Sequence, residues 1–184
     1  MMPTAEQRNR CAGLLYKLAG RLFGRAAARE AITTRLRVKA PPDIIWERLN
    51  FYEDVPKRPG FLLRTLLPEP IRTTGDKTRV GGVVHCIYRG GTLSKRITSI
   101  EPPRRLHFEI TAQNLGIEDC ILTVAGSYQL QEIQDGTELL LTTAYRAYLH
   151  PRELWRPVEE RLVNQLHGHI LDGLCASFVR SVDA

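Results

Sequence analysis

The residues best suited to chemistry lie together near the carboxyl end of the chain. Residues 150–171, HPRELWRPVEERLVNQLHGHIL, contain three histidines, two adjacent glutamates and a tryptophan. Histidine and glutamate side chains act as metal ligands and as general acids and bases, so the stretch is a candidate metal or catalytic site. His167 and His169, however, are about 200° apart on a helix and cannot hold one metal ion as an i, i+4 pair does. We therefore expect neither a metal nor another cofactor.

The elements that must position this stretch are predicted to be mainly strands. Residues 32–40, ITTRLRVKA, alternate apolar and polar side chains, which predicts a half-buried strand. Two prolines follow and suit the first turn of a helix, and residues 43–55 have apolar side chains near helical spacing. Two short helices are therefore predicted after this strand. Residues 62–149 show strand patterns separated by short turn signals such as RGG and QDG, which predict six further strands.

Consecutive strands joined by hairpin-length turns form a meander, so the sheet is predicted to be antiparallel. Together with the first strand it becomes a curved seven-stranded sheet wrapped around a long C-terminal helix, an α+β fold. One helix laid on the concave side of so large a sheet does not fill the enclosed volume with side chains alone. The sequence therefore predicts an internal cavity between the helix and the sheet.

The C-terminal helix is predicted to begin at Pro157, because a proline inside a helix removes a hydrogen bond and breaks the helix. Residues 150–156 then become a leading turn. On this helix one apolar arc is predicted to face the sheet. Its members are Leu162, Val163, Leu166, Ile170 and Leu174. Of these, Val163, Leu166 and Ile170 are the apolar candidates for contact with a ligand.

Three polar side chains are the other candidates for contact with a ligand. Glu159 falls inside the apolar arc, so its carboxylate must reach solvent at the cavity mouth or meet a partner such as Arg152, unless it is a first-turn glutamate stabilised by the helix dipole. His167 lies at the edge of the arc and either bonds to a strand or to a tyrosine hydroxyl, or contacts the ligand. The Tyr145 hydroxyl needs a partner in an apolar cavity, which a ligand or His167 can supply.

The charge is concentrated at the amino end. The net charge of the 184 residues is +6, and residues 1–29 hold six basic groups against one acid, which leaves +1 for the remainder. We predict a basic amphipathic N-terminal segment over residues 1–29 and one domain over residues 30–184. Residues 8–29 suit peripheral contact with an anionic membrane, or docking on the domain itself or on a second subunit in a homodimer. No nucleic-acid partner is predicted, because no basic groove carries interleaved aromatic residues.

The cysteines and the apolar runs bear on location. Four cysteines are widely spaced with no C-x-x-C motif, so neither a zinc knuckle nor a disulfide scaffold is indicated. No run of about 18 apolar residues could form a membrane-spanning helix. Basic residues interrupt the apolar stretch near the start, which is untypical of a secretory signal. A cytoplasmic location is expected.

Three stretches resemble the START and polyketide-cyclase (SRPBCC) superfamily, which has the helix-grip fold. They are RLRVKAPPDIIWERLNFYEDVPKRPG at 35–60, ITSIEPPRRLHFEIT at 97–111, and DGTELLLTTAYRAYLHPRELWRPVEERLVNQLHGHIL at 135–171. The resemblance covers residues 31–180 and implies a hydrophobic ligand cavity beneath the last helix. It implies no particular function, since members bind lipids, sterols, hormones or polyketides, and some are enzymes. No catalytic set of a cyclase can be carried over onto this sequence residue by residue.

Two functional hypotheses follow. The first is binding or transport, without catalysis, of a small hydrophobic or amphipathic molecule, lipid-like or polyketide-like, in the internal cavity. The second is an enzyme of the cyclase or hydrolase kind, in which His167, a glutamate and Tyr145 would polarise a carbonyl and move a proton. A protein-interaction module that docks through the basic segment is a third alternative. No Ser-His-Asp order and no G-x-S-x-G motif supports covalent catalysis.

Overall fold

The computed structural model describes residues 27–51, 68 and 70–175, and these form seven strands and two helices. The strands are β1 (Ala28–Val38), β2 (Pro70–Gly75), β3 (Val83–Tyr88), β4 (Gly91–Glu101), β5 (Arg105–Asn114), β6 (Ile121–Ile133) and β7 (Gly136–Ala147). The helices are α1 (Pro42–Phe51) and α2 (Arg152–Leu174). This succession confirms the predicted order of one strand, a helical segment, six strands and a long helix.

The strands form one antiparallel sheet in the order β1-β7-β6-β5-β4-β3-β2. From β2 to β7 each strand pairs with the next along the chain, as tight turns between antiparallel strands allow. β1 pairs with β7 over its whole length, so the first and last strands are neighbours. The predicted α+β fold, a seven-stranded antiparallel sheet with a long C-terminal helix, is confirmed.

β1 begins at Ala28, before the predicted start at Ile32. Its first residues pair with the end of β7, where Ala28 lies opposite Ala147. Pairing with a neighbouring strand thus extends β1 beyond the residues whose own alternation predicts it. Arg29, which the sequence assigns to the basic N-terminal segment, consequently lies in the sheet.

Two predicted features lie outside the described residues. The basic amphipathic segment falls almost entirely in residues 1–26. The second of the two short helices predicted after the first strand would follow α1, and residues 52–67 are likewise not described. Both therefore stay predictions.

Helix α2 begins at Arg152, so the predicted start at Pro157 was wrong. The backbone N–H groups of Leu154 and Trp155 both donate to the Pro151 carbonyl at 3.2 Å, which closes a turn ahead of Pro157. A proline inside a helix forfeits one backbone hydrogen bond. The guanidinium of Arg152 bonds to two glutamates and to the Leu149 carbonyl, and these bonds hold the first turn in place.

Helix α2 packs against the face of the sheet that carries alternate residues of β1 and β7, here called the inner face. Apolar residues from both partners are nearly inaccessible to solvent, among them Leu139, Leu141, Leu171 and Leu174. Each such side chain contributes about 1.5–3 kcal/mol when fully buried, so this packing fixes the helix on the sheet. Neither helix among the described residues is long and apolar enough to cross a membrane.

Candidate functional site

A cavity of about 170 Å³ lies between α2 and the inner face of the sheet. Much of its wall is apolar and comes from the central strands β4, β5 and β6 and from β7. These residues include Leu93, Ile97, Leu106, Phe108, Ile110 and Leu141. Protein interiors are otherwise close-packed, so a space of this size lined by apolar side chains is the default place for a small molecule to bind.

Five of the six side chains predicted to contact a ligand line this cavity. They are Tyr145 on β7 and Val163, Leu166, His167 and Ile170 on α2. The four helical residues share one face, because Leu166, His167 and Ile170 lie three, four and seven positions after Val163. Glu159 is not among the described lining residues and is buried, with 1% of its surface exposed. That these side chains bind a ligand stays a prediction.

His167 belongs to a chain of hydrogen bonds that joins α2 to β1 and β7. The Thr34 hydroxyl donates to Asn164 Oδ1 at 2.7 Å, and its oxygen lies 2.8 Å from His167 Nδ1. Because a hydroxyl has only one proton to give, Thr34 accepts from Nδ1–H. Nε2 of the neutral ring then accepts from the Thr143 hydroxyl at 2.7 Å. The chain therefore places the single ring proton on Nδ1.

The environment of His167 keeps the ring neutral. Burial lowers the pKa of His167 to about 4, and only 2% of the residue is exposed. Of the two alternatives for this histidine, bonding to strands is what the geometry shows, since both partners of the ring are strand threonines. His167 also forms part of the cavity wall, which leaves contact with a ligand as a proposal.

Glu159 forms a buried ion pair with Arg152. The guanidinium donates from Nη1 to Glu159 Oε1 at 2.8 Å and from Nη2 to Oε2 at 2.7 Å, which is the strong bidentate geometry. Nη2 also donates to Glu30 Oε1 at 3.3 Å. Hydrogen bonding to Glu159 raises the pKa of Arg152. Of the expected alternatives, the structure thus shows the partner Arg152 rather than solvent.

One expectation about this cluster was wrong, and one hydrogen-bond partner was not predicted. Glu159 is not a first-turn glutamate, because α2 begins seven residues earlier at Arg152. The Tyr145 hydroxyl donates to Glu159 Oε2 at 3.3 Å, so its partner among the described residues is Glu159 and not His167. Burial, followed by the negative charge of Glu159, raises the pKa of Tyr145, and the phenol stays protonated. The cluster ties α2 to β1 and β7 beside the cavity.

Sequence reasoning missed Lys95, which points into the cavity from β4. Its Nζ lies 4.6 Å from the centroid of the Phe108 ring and 6.0 Å from that of Tyr128. Such distances are those of cation–π contacts. The signal was present in the sequence, because Lys95 is in phase with Leu93 and Ile97, two apolar residues of the same strand that also line the cavity. Lysine side chains are seldom buried, so the alternation alone did not identify Lys95 as a cavity residue.

The charges around the cavity have one sign. Of the described residues that line it, three are basic and none is acidic. Arg72 is exposed, whereas Lys77 and Lys95 are half-buried. Burial acts to lower the pKa of Lys95, and electrostatic interaction with Cys86 and Tyr128 acts to raise it, with a net increase. The ordinary pKa of a lysine is about 10.4, and two aromatic rings face the Lys95 Nζ, so Lys95 is a cation at neutral pH.

Two tyrosines share the cavity wall with this cation. Tyr88 on β3 and Tyr128 on β6 both line the cavity. Burial is the main cause that raises the pKa of each phenol, so both hydroxyls stay protonated at neutral pH. Electrostatic interactions link Tyr128 to both Lys95 and Tyr88. Phenols and an ammonium in one part of the wall are all hydrogen-bond donors, which suits an acceptor on a bound molecule.

The other reactive groups of the described residues do not form a catalytic or metal centre. Within the described part of the chain, no group of three or more His, Cys, Asp and Glu side chains could hold a metal ion. Cys86, Cys120 and Cys175 are free thiols. Burial raises the pKa of Cys120 to about 12, with further contributions from Asp119 and Glu159. That thiol is consequently a poor nucleophile at neutral pH.

Sequence comparison finds one family model. The model described as polyketide cyclase / dehydrase and lipid transport matches residues 29–180. No curated protein matches the sequence. The matched range includes α2 and the whole sheet apart from Ala28, so it spans every described residue that lines the cavity.

Solved structures share the fold at low sequence identity. The Zhui aromatase/cyclase from Streptomyces sp. R1128 is 17% identical with a TM-score of 0.55, over 82% of this chain and 93% of its own. Protein Ms6760 from Mycobacterium smegmatis is 16% identical with a TM-score of 0.54, over 87% and 99%. An uncharacterized protein from Rhizobium leguminosarum is 12% identical with a TM-score of 0.53, over 82% and 95%. At such identities the likeness extends to the fold alone.

Proposed function

The chain belongs to the polyketide cyclase / dehydrase and lipid transport family, and on that premise we propose that it binds a small hydrophobic or amphipathic molecule in the cavity under α2. The ligand would be lipid-like or polyketide-like and would be carried without chemical change. The observation that carries this proposal is a cavity of about 170 Å³ whose wall is mainly apolar. Pockets for small molecules have this character, with a few polar groups that orient the ligand.

The polar groups on the wall support binding more than catalysis. Both ring nitrogens of His167 are occupied by threonines. Glu159 is paired with Arg152 and is not among the described residues that line the cavity. An efficient general base has a pKa near the working pH, and that of His167 is about 4. These side chains hold α2 on the sheet and so maintain the cavity.

A pair of leucines on α2 provides the test. Leu166 lines the cavity, whereas Leu154 is 62% exposed on the same helix. We expect wild-type protein to enhance the fluorescence of the neutral apolar dye N-phenyl-1-naphthylamine. Leu166→Trp should fill the cavity and abolish the enhancement, while the matched Leu154→Trp should retain it. Undiminished dye binding by a folded Leu166→Trp variant would contradict the proposal.

One observation favours the second candidate, proton-transfer catalysis. The Thr143 hydroxyl lines the cavity and donates to His167 Nε2 at 2.7 Å, which is the reach of a hydroxyl and its base. The probe is 2-octanone, whose hydrogen–deuterium exchange next to the carbonyl can be followed by NMR. Exchange accelerated by wild-type protein but not by His167→Gln would support catalysis. No acceleration by wild-type protein that binds the dye would exclude it for this probe.

The basic segment completes the proposal. Residues 8–29 would bring a cytoplasmic carrier to an anionic membrane surface, where each basic group adds about 1 kcal/mol. Since β1 begins at Ala28, a deletion that tests this idea should stop at residue 26. We expect the shortened protein to keep dye binding and to lose sedimentation with phosphatidylserine vesicles. Unchanged sedimentation would favour docking of the segment on the domain or on a second subunit.

A further inference from the structure

The ligand's polar group can be inferred from the charges on the cavity wall. We propose that the ligand is an amphipathic acid, with an apolar tail and a single carboxylate that pairs with the Lys95 ammonium. This assignment rests on the proposed function, because it names the class of ligand for the same cavity.

Lys95 is a cation whose described contacts are with two aromatic rings. Its Nζ faces the Phe108 ring at 4.6 Å and the Tyr128 ring at 6.0 Å. Among the described residues, no carboxylate forms an ion pair with it. Aromatic faces offset only part of the cost of placing a cation in an apolar wall. A negative charge that arrives with the ligand would supply the rest.

The balance of charge favours a monoanion. No described residue of the lining is acidic. Arg72 is exposed, so water screens its charge, and Lys77 interacts with another residue. Of the three basic lining residues, Lys95 is then the one whose charge a ligand must neutralise. One carboxylate carries the single negative charge that this requires. A phosphate dianion would leave an excess negative charge in apolar surroundings, which is costly.

Two phenols complete the binding site for a carboxylate. Tyr88 and Tyr128 line the cavity, and their hydroxyls are protonated because burial raises the pKa of both. Hydrogen bonds from such donors to a carboxylate are charge-assisted and are stronger than bonds between neutral groups. The tail of the acid would extend over the apolar residues toward α2, where Leu166 and Ile170 form the opposite wall.

The test compares two molecules that differ only in the head group. Octanoate and 1-octanol displace N-phenyl-1-naphthylamine from the protein at pH 8, and their apparent affinities are compared. We expect wild-type protein to bind octanoate about tenfold more tightly than 1-octanol, or more. Lys95→Met should remove this preference and retain the binding of dye and alcohol. Lys95→Arg should keep the preference, as should Lys39→Met, a matched change at an exposed lysine.

The outcomes separate this assignment from the proposed function. Equal affinity of wild-type protein for octanoate and 1-octanol would overturn the role of Lys95 while leaving the cavity as a binding site. An undiminished preference in a folded Lys95→Met variant would do the same. Tighter displacement by octyl phosphate than by octanoate would contradict the monoanion. If neither the dye nor either octyl compound binds, the proposed function itself fails. The wild-type comparison stands even where Lys95→Met does not fold.

Discussion

The Thr143 hydroxyl donates a hydrogen bond of 2.7 Å to His167 Nε2, and this bond joins β7 to α2 at the wall of the cavity. On the other side of the ring, Thr34 of β1 accepts from Nδ1 at 2.8 Å. A helix that covers a partly empty space buries fewer apolar contacts than one packed on a filled core. The polar clusters around His167 and Glu159 supply part of the attachment that apolar packing does not.

Removing the Thr143 hydroxyl tests this attachment. Thr143→Val leaves the buried Nε2 of His167 without a donor, which should lower the free energy of unfolding by about 1–3 kcal/mol in urea denaturation. The neighbouring Thr142 provides the control, because its hydroxyl bonds to Thr33 on the exposed side of the sheet at 2.8 Å. Thr142→Val should change the free energy by less than about 0.5 kcal/mol. Equal losses in the two variants would contradict the role given to the His167 cluster.

The titration of His167 predicts a dependence of stability on pH. Its pKa is about 4 in the folded protein and 6.5 when unperturbed, so protons bind preferentially to the unfolded chain. The neutral ring contributes stability that is full above pH 6.5 and is lost as the pH falls toward 4, at about 1.4 kcal/mol per pH unit. His167→Gln should flatten this part of the profile, whereas His85→Gln on the exposed face should not. A wild-type slope that survives His167→Gln would assign the effect to other groups.

Breaking the Arg152 ion pair should be more costly. Arg152→Met strands the Glu159 carboxylate in the interior, where the loss of one partner of a buried pair costs about 3–5 kcal/mol. Arg156→Met removes only a largely exposed partner of Glu30, with N and O 3.5 Å apart, and should cost less than about 1 kcal/mol. Chemical denaturation measures both. Similar losses would mean that the Arg152 pair does not hold α2.

Alanine substitutions at two glycines are expected to change the stability in opposite directions. A Cβ at Gly126 would lie 2.5 Å from Phe108 Cζ and 2.7 Å from the Thr142 carbonyl oxygen, so Gly126→Ala should destabilise by about 1–3 kcal/mol and displace the ring under Lys95. A Cβ at Gly168, inside α2, meets no atom within 4 Å. Gly168→Ala should stabilise the helix by up to about 1 kcal/mol. Thermal unfolding decides both signs, and a stabilising Gly126→Ala would contradict the packing described for Phe108.

The fold was predictable because two periodicities mark the faces of its elements. Alternation identified the strands, and helical spacing placed Val163, Leu166 and Ile170 on the face of α2 that lines the cavity. Ladder pairing, which decides where a strand ends, is not local, and so the start of β1 was placed too late. The location of the candidate site followed from the face. For its polar groups the sequence left alternatives open, and the structure selects Arg152 for Glu159 and two strand threonines for His167.

The error at Pro157 explains why Arg152 was only one of the alternatives predicted for Glu159. With α2 assumed to start at this proline, Arg152 lay in a turn with no fixed relation to Glu159. With the start at Arg152, the two residues are seven positions apart, two turns along one face of the helix. Lys95 was missed for another reason, since its alternation with Leu93 and Ile97 was visible but a lysine is seldom buried without a counter-charge. Its surroundings come from three other strands and are not evident in any one segment.

The most direct test of the central claim is to observe a ligand in the cavity. The protein, labelled with ¹³C at its methyl groups, is saturated with octanoate or with 1-octanol, whichever binds more tightly. Intermolecular nuclear Overhauser effects are then measured by isotope-filtered NMR. We predict contacts from the octyl chain to the methyl groups of Leu141, Val163 and Ile170, which line the cavity, and none to the exposed Leu154. Contacts confined to Leu154 and other surface methyl groups would contradict a ligand site beneath the C-terminal helix.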